Sequence, residues 1–328
     1  MYFNYYLLFC VLNFFTAVRS IGLSKHQINS CVELFEKYKG SNNEIPRMRA
    51  IKYLLDLGYR KLSEIFPSKE NVLNDRTVSE FLVFLADQDK TSDHWEEKGL
   101  TTYEVKLFVR MFDAHDKKSV HDGLLTNDEL VNLFDKDLNL DRDAKEQIKN
   151  EFINDDSINV PKFLAAIVKH KPEGRGLDKT QIEKCFALYR SHLSHLITRA
   201  QNELLQTLHI VSDEYKNLLE FEHVRSAAKE LQEFLVFWAE YNKGVDDNAP
   251  LLTSRQVREY IWKFTLHDQD KDGVLNFSEF NQLASTYFPG EDAELILETS
   301  YDPDNDYSMS AAMFLYMQLT IRSGHRRM

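Results

Sequence analysis

Asp268-Gln-Asp-Lys-Asp-Gly-Val-Leu-Asn-Phe-Ser-Glu279 is the stretch from which the rest of the chain can be read. Side-chain oxygens fall at positions 1, 3, 5, 9 and 12 of these twelve residues, on Asp268, Asp270, Asp272, Asn276 and Glu279. Calcium is a hard cation that takes about six to eight oxygens, and this spacing supplies them, with a backbone carbonyl at position 7 and a bidentate carboxylate at position 12. The expected ligands are therefore Asp268, Asp270, Asp272, the Val274 carbonyl, Asn276 and Glu279, with Ca2+ as the cofactor. Gly273 at position 6 is expected at positive φ, which lets the loop turn sharply. Leu275 at position 8 is expected to face inward and pair with its counterpart in a neighbouring loop.

The flanks are helical in period. Val257, Tyr260, Ile261 and Phe264 precede the loop, and Phe280, Leu283, Ala284 and Tyr287 follow it, both sets spaced i, i+3, i+4, i+7. Val105, Phe108, Val109 and Phe112 repeat the first set earlier in the chain. Strand signal is confined to a few residues at each loop centre. The expected fold class is all-α, with short two-stranded links between paired loops.

An internal repeat carries this plan through the chain. EFLVFLAD at Glu80–Asp87 returns as EFLVFWAE at Glu233–Glu240, 153 residues on. Cys31-Val-Glu-Leu-Phe matches Cys185-Phe-Ala-Leu-Tyr, and Leu100-Thr-Thr-Tyr-Glu-Val matches Leu252-Thr-Ser-Arg-Gln-Val. Between the copies lies Lys169-His-Lys-Pro-Glu-Gly-Arg-Gly176, through which no helix should run. The expected organisation is a leader at 1–20, a first domain at 21–170, a linker at 171–176 and a second domain at 177–328.

The other loops are weaker versions of the first. Asp302, Asp304 and Asp306 hold positions 1, 3 and 5 of a loop ending at Met313, with Tyr307 in the glycine position and Met309 opposite Leu275. In the first half a loop from Asp116 to Glu129 is two residues too long. It keeps Asp122, Gly123, Leu125 and Glu129 but puts Lys118 and Val120 where ligands belong. Its partner from Asn154 keeps a central Ile158 without an acidic end, so no ion is expected there. A unit from Leu34 to Gly58 has the layout, centred on Ile45, but Arg49 at position 12 is incompatible with calcium. Asp87-Gln-Asp-Lys90 copies the start of the good loop, has Lys98 at position 12 and reads as linker.

On these residues the chain resembles the EF-hand superfamily, with Asp268–Glu279 a full match and seven weaker units over most of the remainder. The resemblance implies two four-EF-hand halves of the calmodulin or sarcoplasmic calcium-binding sort. Together with the leader, it is also loosely similar to the calumenin and reticulocalbin family of the secretory pathway.

The 328 residues are 43% hydrophobic with 11 Gly and 7 Pro, enough for a sizeable core. A net charge of -12 repels nucleic acid and anionic lipid, so neither is an expected partner. The first twenty residues hold an apolar run from Tyr5 to Val18 that reads as a signal peptide, with the mature chain starting at Ile21. After its removal no span is expected. The C-terminal SGHRRM has no KDEL-like signal, so export is expected rather than retention. Cys31 and Cys185 read as buried free thiols, with an interdomain disulfide as the alternative. His192 and His195 read as a solvated helix face, and the Asn276-Phe-Ser278 sequon as unmodified. The expected function is a secreted, non-enzymatic calcium-binding protein in which the ion is structural or sensory. The alternatives are a scaffold that binds a protein or peptide partner, and a carrier of a small apolar ligand.

Overall fold

A computed structural model describes residues 23–40, 44–57, 98–116, 122–136, 142–171, 174–183, 227–241, 249–270, 272–288 and 308–325, with 76, 77, 79, 82, 83, 85, 86, 138 and 185 between them. The leader, His192 and His195, residues 87–97 and the ligand positions at 302–306 lie outside this set. The described chain is mostly helical, with only short two-stranded sheets. In the first half β1 (Leu23–Ser24) leads into α1 (Lys25–Tyr38), and β2 (Glu44–Ile45) into α2 (Arg47–Asp56). After β3 (Arg76–Thr77) come β4 (Gly99–Leu100), α3 (Thr102–Asp116), β5 (Leu124–Leu125) and α4 (Asn127–Lys136). The half closes with α5 (Arg142–Glu151), β6 (Ile158–Asn159) and α6 (Val160–His170). The second half has β7 (Leu177–Asp178), α7 (Ala227–Tyr241), β8 (Leu251–Leu252) and α8 (Ser254–His267). It ends with β9 (Val274–Asn276), α9 (Phe277–Tyr287), β10 (Ser308–Ser310) and α10 (Ala311–His325).

Strands this short have no stability of their own, and all but β3 set an apolar residue into the core while the backbone pairs. Leu275 pairs with Met309, Leu125 with Ile158 and Ile45 with Arg76, all antiparallel. Leu125, Ile158, Leu275 and Met309 are each fully buried. Two further links were not expected. Leu23 pairs with Leu100, and Leu177 pairs with Leu252, joining the segment that leads into one helix to the segment that leads into another in each half.

The helix starts are written locally. In α3 the Glu104 carboxylate accepts from the Thr101 N–H at 2.8 Å while the Thr101 hydroxyl oxygen accepts from the Glu104 N–H at 3.3 Å. Thr253 and Gln256 make the same reciprocal cap on α8. Each such cap satisfies two N–H groups that a helix start would otherwise leave open.

Buried apolar side chains fall into two clusters, one drawn from residues 23–168 and the other from 177–319. Val257, Tyr260, Ile261, Phe264, Phe280, Leu283 and Ala284 are all in the second, as their period predicts. Cys31 and Cys185 are not joined in a disulfide and are buried in different clusters, and burial pushes the Cys185 thiol up to about 12. No helix among the described residues is long and apolar enough to cross a membrane.

Candidate metal centre

α8 delivers its last turn to the loop. His267 closes it, with Nδ1–H donating to the Lys263 carbonyl at 2.9 Å and the ring edge-on to Tyr287 of α9 at 5.6 Å. Burial pulls the His267 imidazole below its ordinary value, so it serves here as a neutral packing group. The next residue, Asp268, caps the helix and is only 4% exposed.

Beyond it the backbone folds back on its own carboxylates. Gly273 has φ 92° and donates its N–H to Asp268 Oδ2 at 3.0 Å. Asp270 Oδ1 accepts from Asp272 N–H at 3.2 Å, and Asp272 Oδ1 from Val274 N–H at 2.9 Å. Asn276 Oδ1 accepts from the N–H groups of Ser278 and Glu279, capping α9. Glu279 is 4% exposed and reaches both ways: Oε2 accepts from Asn276 N–H at 3.0 Å, and Oε1 from Gln269 N–H at 2.7 Å.

Asp268, Asp270 and Glu279 each place one oxygen within 4.8 Å of the others. Asp268 Oδ1 is buried and has no hydrogen-bond partner. Burial, with like charges on Asp272, Glu279 and Asp270, pushes the Asp268 carboxyl up to about 6, against the opposing Gly273 N–H bond. Three converging carboxylates, two of them buried and one with a spare oxygen, are an unfavourable arrangement that a cation relieves. The donors are hard oxygens throughout, which suits calcium or magnesium rather than a soft metal. Asp272 and Asn276 stand outside the trio and are exposed, with Asp272 Oδ1 and Asn276 Oδ1 each accepting a backbone N–H.

Sequence reasoning missed Gln232. This residue of α7 is 5% exposed, with Nε2–H donating to the Gly273 carbonyl at 3.4 Å and Oε1 accepting from the Thr265 hydroxyl at 3.1 Å. It braces the turn from a neighbouring helix. The only available signal was its place in the repeated segment, one residue before EFLVFWAE.

The weaker loops use other means. In 116–129, Gly123 has φ 78°, and the 1%-exposed Asp116 accepts from Asp122 N–H and Gly123 N–H, each at 3.1 Å. Glu129 Oε2 accepts from Thr126 N–H at 2.9 Å. Lys118 and Val120 lie outside the described residues. In the loop after Tyr38, Arg49 donates to the Lys39 carbonyl at 3.2 Å, so a guanidinium ties the two ends together. In the loop from Asn154, the Lys162 ammonium lies 3.3 Å from Asp155. Met313 is buried, an apolar side chain at the twelfth position of its loop. No protein-family model, curated protein or solved structure matches the chain.

Proposed function

We propose that this chain is a non-enzymatic calcium-binding protein of the EF-hand superfamily, exported from the cell, in which an ion in loop 268–279 braces the second half. The reading is carried by Asp268, a buried carboxylate with one oxygen held by Gly273 and the other without a partner, beside Asp270 and Glu279. The full oxygen set at positions 1, 3, 5, 7, 9 and 12 makes calcium the favoured cation, with Asp268, Asp270, Asp272, Val274, Asn276 and Glu279 as ligands. The pairings Leu275 with Met309 and Leu125 with Ile158 support a fold of tandem helix-loop-helix pairs in two similar domains. The apolar leader supports export.

Near-millimolar calcium outside the cell and a site about a hundredfold tighter would stabilise the second half by ~2.7 kcal/mol. There the ion is structural, and in a compartment of changing calcium the same site is a switch. Calcium calorimetry on residues 21–328 tests this. The wild type should bind at least one ion. Glu279→Gln, which removes a bidentate ligand, should weaken binding by more than the roughly 10–100-fold typical of a lost supporting contact. No binding heat in the wild type, or an unchanged isotherm in the variant, sinks the proposal.

A further inference from the structure

Lys171 caps the C-terminus of α6 at the junction of the halves and is 3% exposed. Its ammonium meets Glu104 Oε1 of α3 at 2.6 Å, the Gly99 carbonyl of β4 at 3.3 Å and, in direct contact, Glu240 of α7. Glu104 and Gly99 belong to the first half, Glu240 to the second. Each carboxylate is also held from behind. Glu104 Oε2 takes the Thr101 N–H, and Glu240 Oε1 takes Arg258 of α8 at 2.8 Å. Two cations and two carboxylates thus meet at this point, Lys171, Glu104 and Glu240 buried and Arg258 half-buried. Burial alone would lower the Lys171 ammonium, but Glu104 and Glu240 more than reverse it and hold it above the ordinary lysine value.

The surrounding contacts run the same way. Lys98 donates to the Lys171 carbonyl at 3.1 Å, and the Thr102 hydroxyl of the first half lies 2.9 Å from Glu233 of the second. Past Lys171, Gly176 N–H donates to the Ala239 carbonyl at 3.1 Å, and the Ser254 hydroxyl donates to the Gly174 carbonyl at 3.0 Å. A Cβ on Gly174 would lie 2.2 Å from the Glu240 carbonyl oxygen, and one on Gly176, at φ +93°, 1.9 Å from that of Leu252. The connector is therefore seated against α7 and β8 along its described length. α3 and α8 both begin at this cluster and end at Asp116 and Asp268.

We propose that Lys171 closes a buried ionic latch between the two halves, so that they open and unfold as one cooperative unit. A buried pair broken on one side leaves an uncompensated charge, whereas neutralising every member removes the lock without that penalty. The test is urea unfolding of residues 21–328, followed residue by residue through hydrogen exchange without added calcium, so that it stands apart from the calcium reading. In the wild type, α3 of the first half and α8 of the second should lose protection at the same urea concentration. Lys171→Met should raise opening of α3 by on the order of a hundredfold to a thousandfold. Should that variant fail to fold, Lys171→Met/Glu104→Gln/Glu240→Gln/Arg258→Met, which neutralises all four members, keeps the question open to measurement, and its halves should unfold at separate midpoints. Separate midpoints in the wild type, or a single shared midpoint in the neutralised variant, would overturn the proposal.

Discussion

Loops 116–129 and 268–279 share a frame among their described residues, but they differ in length by two residues and in how the first aspartate is held. Each has a glycine at positive φ, a buried aspartate accepting that glycine's N–H, an apolar residue paired across a link, and an exit glutamate that caps the next helix. Asp116, however, has each of its oxygens held by a backbone N–H, while Asp268 has one so held and one without a partner. The frame is therefore maintained in both loops by packing and internal hydrogen bonds, and the ligand set is a separate property. A loop can lose its ligands and still hold its two helices together.

That contrast can be broken at three levels. The largest effect is expected in the links: Leu125→Ala and Leu275→Ala each remove a fully buried side chain and should cost about 2–5 kcal/mol in ion-free protein. Saturating calcium should then recover ~2.7 kcal/mol for either variant, because halves that unfold as one unit share the gain from a single site. Urea midpoints with and without calcium would expose a failure if only Leu275→Ala recovers.

A smaller effect, opposite in sign between the loops, is expected at the aspartates. Asp116→Asn leaves one of two backbone N–H groups without its acceptor and should destabilise the protein by about 1–3 kcal/mol, with or without calcium. Asp268→Asn keeps an acceptor for Gly273 and removes a buried charge facing Asp270 and Glu279, so thermal unfolding of the ion-free protein should move upward while calcium affinity falls.

The smallest effect concerns pH. With a folded value of about 6 against an ordinary 3.8, Asp268 binds its proton more tightly in the native state. Its contribution therefore stabilises the ion-free protein as pH falls from about 6 towards 3.8, whereas calcium requires the ionised form. Apparent calcium affinity should drop about tenfold between pH 7 and pH 5, the change in ionised fraction for a group at this value. An affinity flat over that range would remove Asp268 from the ligand set.

The helices and loop centres were legible in the sequence because their signal is local. Val257, Tyr260, Ile261 and Phe264 are buried at the spacing a helix imposes, and Gly273 stands at the one φ its position requires. The links Leu23 to Leu100 and Leu177 to Leu252 were not legible, since a two-residue strand has no period and its partner lies 77 or 75 residues away. Leu-Thr-x-x-Glu and Leu-Thr-x-x-Gln did stand out as a repeat, and their capping role is what the structure adds. In sequence Lys171 falls in the 171–176 linker. Nothing beside it in sequence announces Glu104 or Glu240, which are brought to it by folding alone.

Lys169–Gly176 has the composition of a natural cleavage point, and a biochemist dividing the protein would cut there. A fragment ending at His170 would carry Glu104 into solution without its counterion, and one starting at Leu177 would strip the glycine backbone from α7 and bare Glu240. The seam that looks simplest to open is thus where the two pieces depend on each other most. Fusion partners and reporters belong at the ends of this chain rather than at its midpoint.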